Sequence, residues 1–75
     1  MDYVDIAATL RWKRRALGLN QQEAADLAGF DRRTLSNFES GSGSRSISLR
    51  NLLALTEVLG VRLTIDTRPS ASELD

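Results

Sequence analysis

The chain contains neither cysteine nor histidine, and for a chain of only 75 residues this absence constrains folding more than any other feature. A domain of this size buries only about 60% of the surface that its unfolded chain exposes. Disulfides cannot add stability, and without these two residue types a structural zinc site is not expected. We also expect no other metal site and no cofactor. Association with a second chain is the remaining way to extend the core.

Basic residues are concentrated in the middle of a chain whose formal net charge is zero. Residues 11 to 50 carry eight basic and four acidic side chains, a balance of +4, and the two ends together carry −4. A locally basic middle is compatible with contacts to phosphate groups. The alternative is the solvated face of an ordinary helical protein, on which exposed arginines are common.

The sequence predicts a soluble cytoplasmic protein with no membrane association. No apolar run approaches the 18 or so residues that a membrane-spanning helix needs. The N-terminal stretch MDYVDIAATLRWKRR lacks the order of regions found in a signal peptide.

Apolar spacing predicts two helices in the first part of the chain. Ile6, Leu10 and Leu17 recur at helical intervals, which predicts a first helix over 3–17. Asn20 is a good N-cap, and Glu23 three residues later completes the pattern of a capping box. The second predicted helix, 21–28, has three core positions, Ala24, Ala25 and Leu27.

A third and a fourth helix follow. Gly29 supplies a tight turn, and Asp31 caps a short helix that runs to Glu39. Only Leu35 and Phe38 of this helix are apolar. Ser48 can cap the fourth helix, 49–59, which Gly60 closes. Its apolar face is wide enough to predict burial on two sides, one of which could lie against another chain.

Between and after these helices the pattern changes. Residues 40–48, SGSGSRSIS, form a Gly/Ser-rich loop. In residues 61–66, VRLTID, apolar and polar side chains alternate, which is typical of a half-buried strand. Residues 67–75 are expected to be a flexible tail. The predicted domain is therefore 1–66, with its last six residues as a strand.

A lone strand cannot satisfy its own backbone, so we expect it to pair with the same strand of a second copy. The predicted dimerisation residues are Val61, Arg62, Leu63, Thr64, Ile65 and Asp66. Antiparallel pairing centred on Thr64 places Arg62 opposite Asp66 of the second copy, and Leu63 opposite Ile65. The alternative is an extended segment that packs on its own domain.

The polar third helix is suited to reading DNA. Two short helices joined by a glycine-containing turn form a helix-turn-helix, whose second helix enters the major groove. Arginine can donate two hydrogen bonds to guanine, and asparagine can pair similarly with adenine. The predicted base contacts are Arg32, Arg33 and Ser36, and the predicted phosphate contacts are Gln21, Thr34 and Asn37. The alternative is a plain surface helix of an α-bundle.

Residues 6–60 resemble the five-helix helix-turn-helix family of phage repressors and Cro proteins, the XRE family. The matching pattern is Arg14, Leu19, Gln21 and Glu23, then the Gly29 turn, the polar helix, Glu39 and Gly41. The chain departs from it at Ala24, where the family usually has leucine. The resemblance implies a mainly α, lambda-repressor-like bundle. It also implies a structural ion pair between Arg14 and Glu39.

The stretches TLSNFESG and SLRNLLALTEVLGVRLTID resemble the HipB-type antitoxins of bacterial toxin–antitoxin operons. That resemblance implies a homodimer that binds double-stranded operator DNA, associates with the nucleoid when bound, and represses its own operon. It further implies a HipA-like serine/threonine kinase toxin as partner. The 40–48 loop is longer than in the best-known member, and the tail has no aromatic residue to fill a toxin pocket.

Two alternatives remain open, and a third is not expected. One is an XRE-family regulator without a toxin, and another is a protein-interaction module that has the fold but does not bind DNA. The third, an enzyme, is not expected: there is no convergent set of catalytic residues, and SGSGS lacks the lysine and spacing of a nucleotide-binding loop.

Trp12 lies off the apolar stripe of the first helix, where it either packs near Tyr3 or contacts a partner.

Overall fold

Within the residues that the structure describes, the chain forms four α-helices. The structure is a computed structural model that describes residues 3–40, 47–65, 67 and 69, with side chains from residue 5 onward. The helices are α1 (Tyr3–Ala16), α2 (Gln21–Ala28), α3 (Arg32–Glu39) and α4 (Leu49–Leu59). The expectation of a mainly helical fold is confirmed. The predicted bounds differ only for α1, which ends one residue earlier.

Polar side chains fix the starts of α2, α3 and α4. The side chain of Asn20 accepts a hydrogen bond from the backbone N–H of Glu23 at 2.8 Å, and Oε1 of Glu23 accepts one from the N–H of Asn20 at 2.9 Å. The capping box predicted from the sequence is therefore present. Asp31 and Ser48 cap α3 and α4, each by accepting the N–H three residues later. These bonds satisfy donors that a helix leaves unpaired.

The turn between α2 and α3 depends on Gly29. Its φ of +86° lies in the left-handed region, where an L-residue is strained. Its N–H donates to the carbonyl of Ala25 at 2.8 Å, and the N–H of Phe30 donates to the same oxygen at 3.1 Å. An added Cβ would meet nothing within 4 Å, so the backbone conformation alone requires glycine. The turn holds α3 close to α2.

A small apolar core lies between the helices. Its buried side chains are Ala7, Leu10, Ala24, Ala25, Leu35, Phe38, Leu55 and Leu59. α2 packs against α3 and α4, and α1 also packs against both. Leu35 and Phe38, the two apolar residues of α3, are both buried as predicted. Because alanines make up much of this core, the apolar volume that stabilises the fold is limited.

Two residues that the sequence assigns to the apolar stripes are exposed, so these predictions are wrong. Leu17 is 48% exposed because α1 ends at Ala16 and the chain then turns. Leu27 is 65% exposed. The buried face of α2 is centred on Ala24 and Ala25, and Leu27 lies about 110° away from that centre at 100° per residue.

The C-terminal segment after α4 is extended but unpaired in the single chain. The N–H of Val61 donates to the carbonyl of Thr56 at 2.9 Å, and residues 62–65 form no backbone hydrogen bond to the described part of the chain. The structure of one copy therefore shows no strand in 61–65, and pairing across a dimer stays a prediction. Asp66, the 41–46 part of the loop and the 67–75 tail, except Thr67 and Pro69, lie outside the described residues.

None of the helices in the described ranges is both long enough and apolar enough to span a membrane.

Candidate DNA-binding surface

α3 has one buried face and one polar face. The buried residues are Leu35, Phe38 and Glu39. At about 100° per residue, Arg33 and Asn37 lie nearest the opposite, outward direction. Arg32 and Ser36 lie on one flank, and Thr34 lies on the other. Both arginines are exposed, and the other three are partly exposed. The outward side of α3 thus offers only polar groups and cations.

A buried ion pair joins α3 to α1. Nε of Arg14 donates to Oε2 of Glu39 at 2.7 Å, and Nη2 donates to Oε1 at 2.8 Å. The Arg14 side chain is 7% exposed and that of Glu39 is 4% exposed. Nη1 of Arg14 also donates to the carbonyl of Leu19 at 2.7 Å. One guanidinium therefore ties together α1, the turn before α2, and the last residue of α3.

Gln21 completes this network from the start of α2. Its Nε2 donates to Oε1 of Glu39 at 3.1 Å. An amide nitrogen carries two hydrogens, so the second N–H of Gln21 remains available to another acceptor. The backbone N–H groups of Gln21 and Gln22 donate to no group in the described part of the chain. The start of α2 thus presents donors to an anion.

The network keeps the Glu39 carboxylate ionised. Burial alone would raise its pKa, but hydrogen bonds from Arg14 and Gln21, with the charges of Arg14 and Arg11, outweigh burial and lower the pKa below 4.5. Hydrogen bonding to Glu39 likewise raises the pKa of Arg14 more than burial lowers it. Both groups are therefore charged at neutral pH and hold each other in place.

The N-cap of α3 is also ionised. Hydrogen bonds from Thr34, through its side chain and then its backbone N–H, lower the pKa of Asp31, and the charge of Arg33 lowers it further. A negative charge at this position is favoured by the dipole of α3. Asp31 therefore fixes the first turn of α3, the turn that carries both arginines.

A shallow polar groove of about 240 Å³ lies between α1, α2 and α3. Its lining residues are Arg11, Arg14, Arg15, Gln21, Ser36, Glu39 and Ser40. Three of these carry a positive charge and one a negative charge, so the lining has a balance of +2. The groove borders the polar face of α3 and extends the basic surface onto α1.

Comparison with known sequences identifies the fold. A family model described as helix-turn-helix matches residues 10–65, which is most of the chain. The chain belongs to the XRE-type helix-turn-helix family. The matched residues include α2 and α3, the two short helices joined by the Gly29 turn. Among curated proteins, none matches the sequence significantly.

The structure brings most, but not all, of the predicted contact residues together. Arg32, Arg33 and Ser36 lie on the exposed side of α3, and Gln21 borders the adjacent groove, whereas Thr34 lies on the other flank of α3. Asn37 points outward beside Arg33. The sequence predicts that Asn37 contacts a phosphate, and its outward direction makes the edge of a base a second candidate partner.

Sequence analysis missed two residues of this surface, Arg11 and Arg15. In the sequence they contribute only to the charge balance, yet both line the groove beside α3. The sequence does contain a signal for them. The resemblance places Arg14 against Glu39, and positions 11 and 15 of a helix lie on the same side of position 14, so both could be expected near α3.

Trp12 lies on α1 next to these arginines, away from the core. It is 69% exposed and borders a second shallow groove with Ala8, Arg11 and Arg15. The side chain of Tyr3, against which Trp12 could pack, lies outside what the structure describes. Trp12 is thus largely accessible to solvent or to a partner.

Proposed function

We propose that this XRE-type protein is a sequence-specific transcriptional repressor that binds double-stranded operator DNA as a homodimer and is not an enzyme. The observation that carries the proposal is the polar face of α3. Two arginines of its first turn, Arg32 and Arg33, are exposed, while Leu35, Phe38 and Glu39 anchor the opposite face. A helix held in this way can present its cations without disturbing the core.

The dimensions of α3 fit the major groove. Its eight residues span about 12 Å at 1.5 Å per residue, close to the width of about 12 Å of the major groove of B-DNA. The guanidinium groups of Arg32 and Arg33 would each donate two hydrogen bonds to guanine. Asn37, which points outward one turn after Arg33, could pair with adenine. These contacts would supply the sequence preference.

Contacts to phosphates would set the position of α3 on the DNA. The free backbone N–H groups at the start of α2 and the second N–H of the Gln21 amide are suited to one phosphate. Thr34 lies on the flank of α3, where a phosphate of the groove edge is within reach. The ion pair of Arg14 with Glu39 would keep α3 at a fixed orientation to these donors.

A homodimer would place two recognition helices on a palindromic site, with half-sites about 34 Å apart. Support comes from the unpaired segment after α4, where Leu63 is 39% exposed and Ile65 is 84% exposed. An open groove of about 510 Å³ continues this surface onto α4 and includes Leu53, which is 47% exposed. Pairing of Leu63 with Ile65 of the second copy would remove apolar surface that one chain leaves in water.

The finer proposal is a HipB-like antitoxin that represses its own operon in the bacterial cytoplasm and neutralises a HipA-like kinase. It is supported by the order of α3, α4 and an extended C-terminal segment, and by the exposure of Trp12, a residue type favoured at interface anchors. Titration of the purified protein with the product of the neighbouring gene tests the proposal, which expects that product to be a HipA-like kinase that binds. A regulator without a toxin would bind operator DNA but no such kinase.

The repressor proposal predicts a specificity change on replacing Arg33 with alanine. Affinity for the operator should fall by about 1–3 kcal/mol, and discrimination at one base pair should relax, because a bidentate contact to guanine is lost. Selection of bound sequences from a randomised DNA pool measures this directly.

Lys13→Ala is the matched control, because it removes a positive charge from the flank of α1 that faces away from the groove. It should leave the selected sequences unchanged. If Arg33→Ala and Arg32→Ala both selected the same sequences as the unmodified protein, the assignment of α3 as the recognition helix would be wrong.

A further inference from the structure

Two pairs of polar side chains face each other across the groove between α1 and α3. Arg11 and Arg15 are one turn apart on α1, and Ser36 and Ser40 are one turn apart at the end of α3. All four line the same groove. This arrangement lies beside the outward face of α3, on the flank that carries Ser36.

Two cations of the groove form no ion pair in the described residues, although the charge of one of them, Arg11, acts on Glu39. The Glu39 carboxylate, the groove's only acidic lining residue, is fully engaged by Arg14 and Gln21. Arg11 and Arg15 are exposed and form no ion pair or hydrogen bond within the described part of the chain. The positive charge of these two side chains is therefore available to a ligand.

The two hydroxyls differ in what they can offer. Oγ of Ser40 already donates its hydrogen to the carbonyl of Asn37 at 2.7 Å. Ser36 makes no hydrogen bond through its side chain in the described residues, so its hydroxyl can still donate. Apart from the Gln21 amide, which is assigned above to a phosphate at the start of α2, the free donors of the groove are thus two guanidinium groups and one hydroxyl. An anion with several oxygen atoms can accept from all of them and also match the positive charge.

We propose that this groove binds a backbone phosphate of the DNA, held by Arg11, Arg15 and Ser36, while α3 occupies the major groove. The inference rests on the proposed function and deepens it. It assigns α1 a DNA contact and gives Ser36 a phosphate in place of the base predicted from the sequence.

The position of the groove favours a phosphate over a base edge. Ser36 lies about 70° from the outward direction of α3, toward α1. When α3 points into the major groove, α1 lies beside it at the edge, where the phosphates are. Guanidinium groups bind phosphate oxygens with two parallel hydrogen bonds, and such charge-assisted bonds are stronger than neutral ones.

The test is the double substitution of Arg11→Gln with Arg15→Gln, compared with Lys13→Gln. Lys13 lies about 200° around α1 from Arg11, so its substitution removes charge from the same helix but not from the groove. Affinity should be measured for the operator and for a scrambled fragment over a series of salt concentrations. Thermal unfolding of each variant verifies that the fold is retained.

The double variant should lose roughly tenfold in affinity for both DNAs at low salt, by the same factor. Its plot of log affinity against log salt should be less steep by about 1, because one phosphate contact no longer displaces counterions. Ser36→Ala should weaken binding to both fragments alike and to a smaller extent. Lys13→Gln should change neither the affinity for either DNA nor the slope of the salt dependence.

Trp12 provides a second readout at the same place. It is the only tryptophan of the chain and borders Arg11 and Arg15. Its fluorescence should change when the unmodified protein is titrated with either DNA, and this change should be smaller in the double variant at equal saturation.

Three results would overturn the proposal in distinguishable ways. If the double variant kept the affinity and the salt dependence of the unmodified protein, the groove would bind no phosphate, and the proposed function would stand. If affinity fell for the operator alone, the arginines would contact bases. If the unmodified protein bound neither DNA, the proposed function itself would fail, and this site with it.

Discussion

Replacing Glu39 with alanine should lower the free energy of unfolding by on the order of 3 kcal/mol, because the guanidinium of Arg14 would remain buried without a counter-charge. Removing one partner of a buried pair typically costs about 3–5 kcal/mol. We expect the lower end of that range, since the polar groove brings water to one side of the pair. For a domain of this size the loss is a large share of the total stability. Urea unfolding followed by circular dichroism measures it.

Two comparisons separate this effect from general damage. Glu57 is an exposed glutamate on α4, and Glu57→Ala should change stability by no more than about 0.5 kcal/mol. Replacing Arg14 and Glu39 together with methionine should recover most of the loss, because apolar residues of similar volume often match a buried ion pair. A loss below about 1 kcal/mol for Glu39→Ala would contradict the structural role of the pair.

The same carboxylate should make stability depend on pH in acid. The pKa of Glu39 is lowered in the folded chain, so its contribution is complete above its ordinary value of 4.5 and is lost as the pH falls through the lower, folded-state value. The pKa of Asp31 is also lowered in the folded chain. The difference in stability between the unmodified protein and Glu39→Gln isolates the part due to Glu39, and it should shrink as the pH falls below about 4.5.

Replacing Ile65 with asparagine should weaken dimerisation by a factor of about 10²–10⁴. Each dimer would lose two buried isoleucine side chains, each contributing about 1.5–3 kcal/mol. Ile65 is 84% exposed in the single chain, so the substitution should leave the fold of the monomer intact. Sedimentation equilibrium over a range of protein concentrations gives the dimer dissociation constant.

The weaker dimerisation of the Ile65→Asn protein should also lower its affinity for the operator. A monomer reads one half-site, and losing the linked second half-site costs on the order of 10²–10⁴ in affinity. Leu27→Asn is the matched control, because Leu27 is 65% exposed on α2 and belongs to no predicted interface. Leu27→Asn should alter neither the dimer dissociation constant nor the affinity for the operator. An Ile65→Asn protein that dimerised like the unmodified one would exclude the predicted strand pairing.

The local features of the fold were predictable because they depend on neighbouring residues. A capping box needs only Asn20 and Glu23, and a left-handed turn needs Gly29, so the sequence predicts the starts and ends of α2 and α3 closely. The predicted burial of Leu27 is wrong, because the buried face of α2 is set by Ala24 and Ala25 and Leu27 points away from it.

The candidate site was harder to predict because it is assembled from three helices. Arg14 occupies a core-facing position of α1, four residues after Leu10, where apolar spacing alone predicts a hydrophobic side chain. Only the family resemblance indicated its pairing with Glu39. Arg11 and Arg15 become part of the surface only when α1 is packed against α3, and no local pattern encodes that packing.

If α3 reads operator DNA, the protein should bind the DNA upstream of its own gene. Affinity for this fragment and for a scrambled fragment should be measured at two salt concentrations. We expect tight binding that prefers the native fragment and weakens steeply as salt rises. Equal, weak binding to both fragments at both concentrations would contradict it, and would favour a protein-interaction module with the same fold.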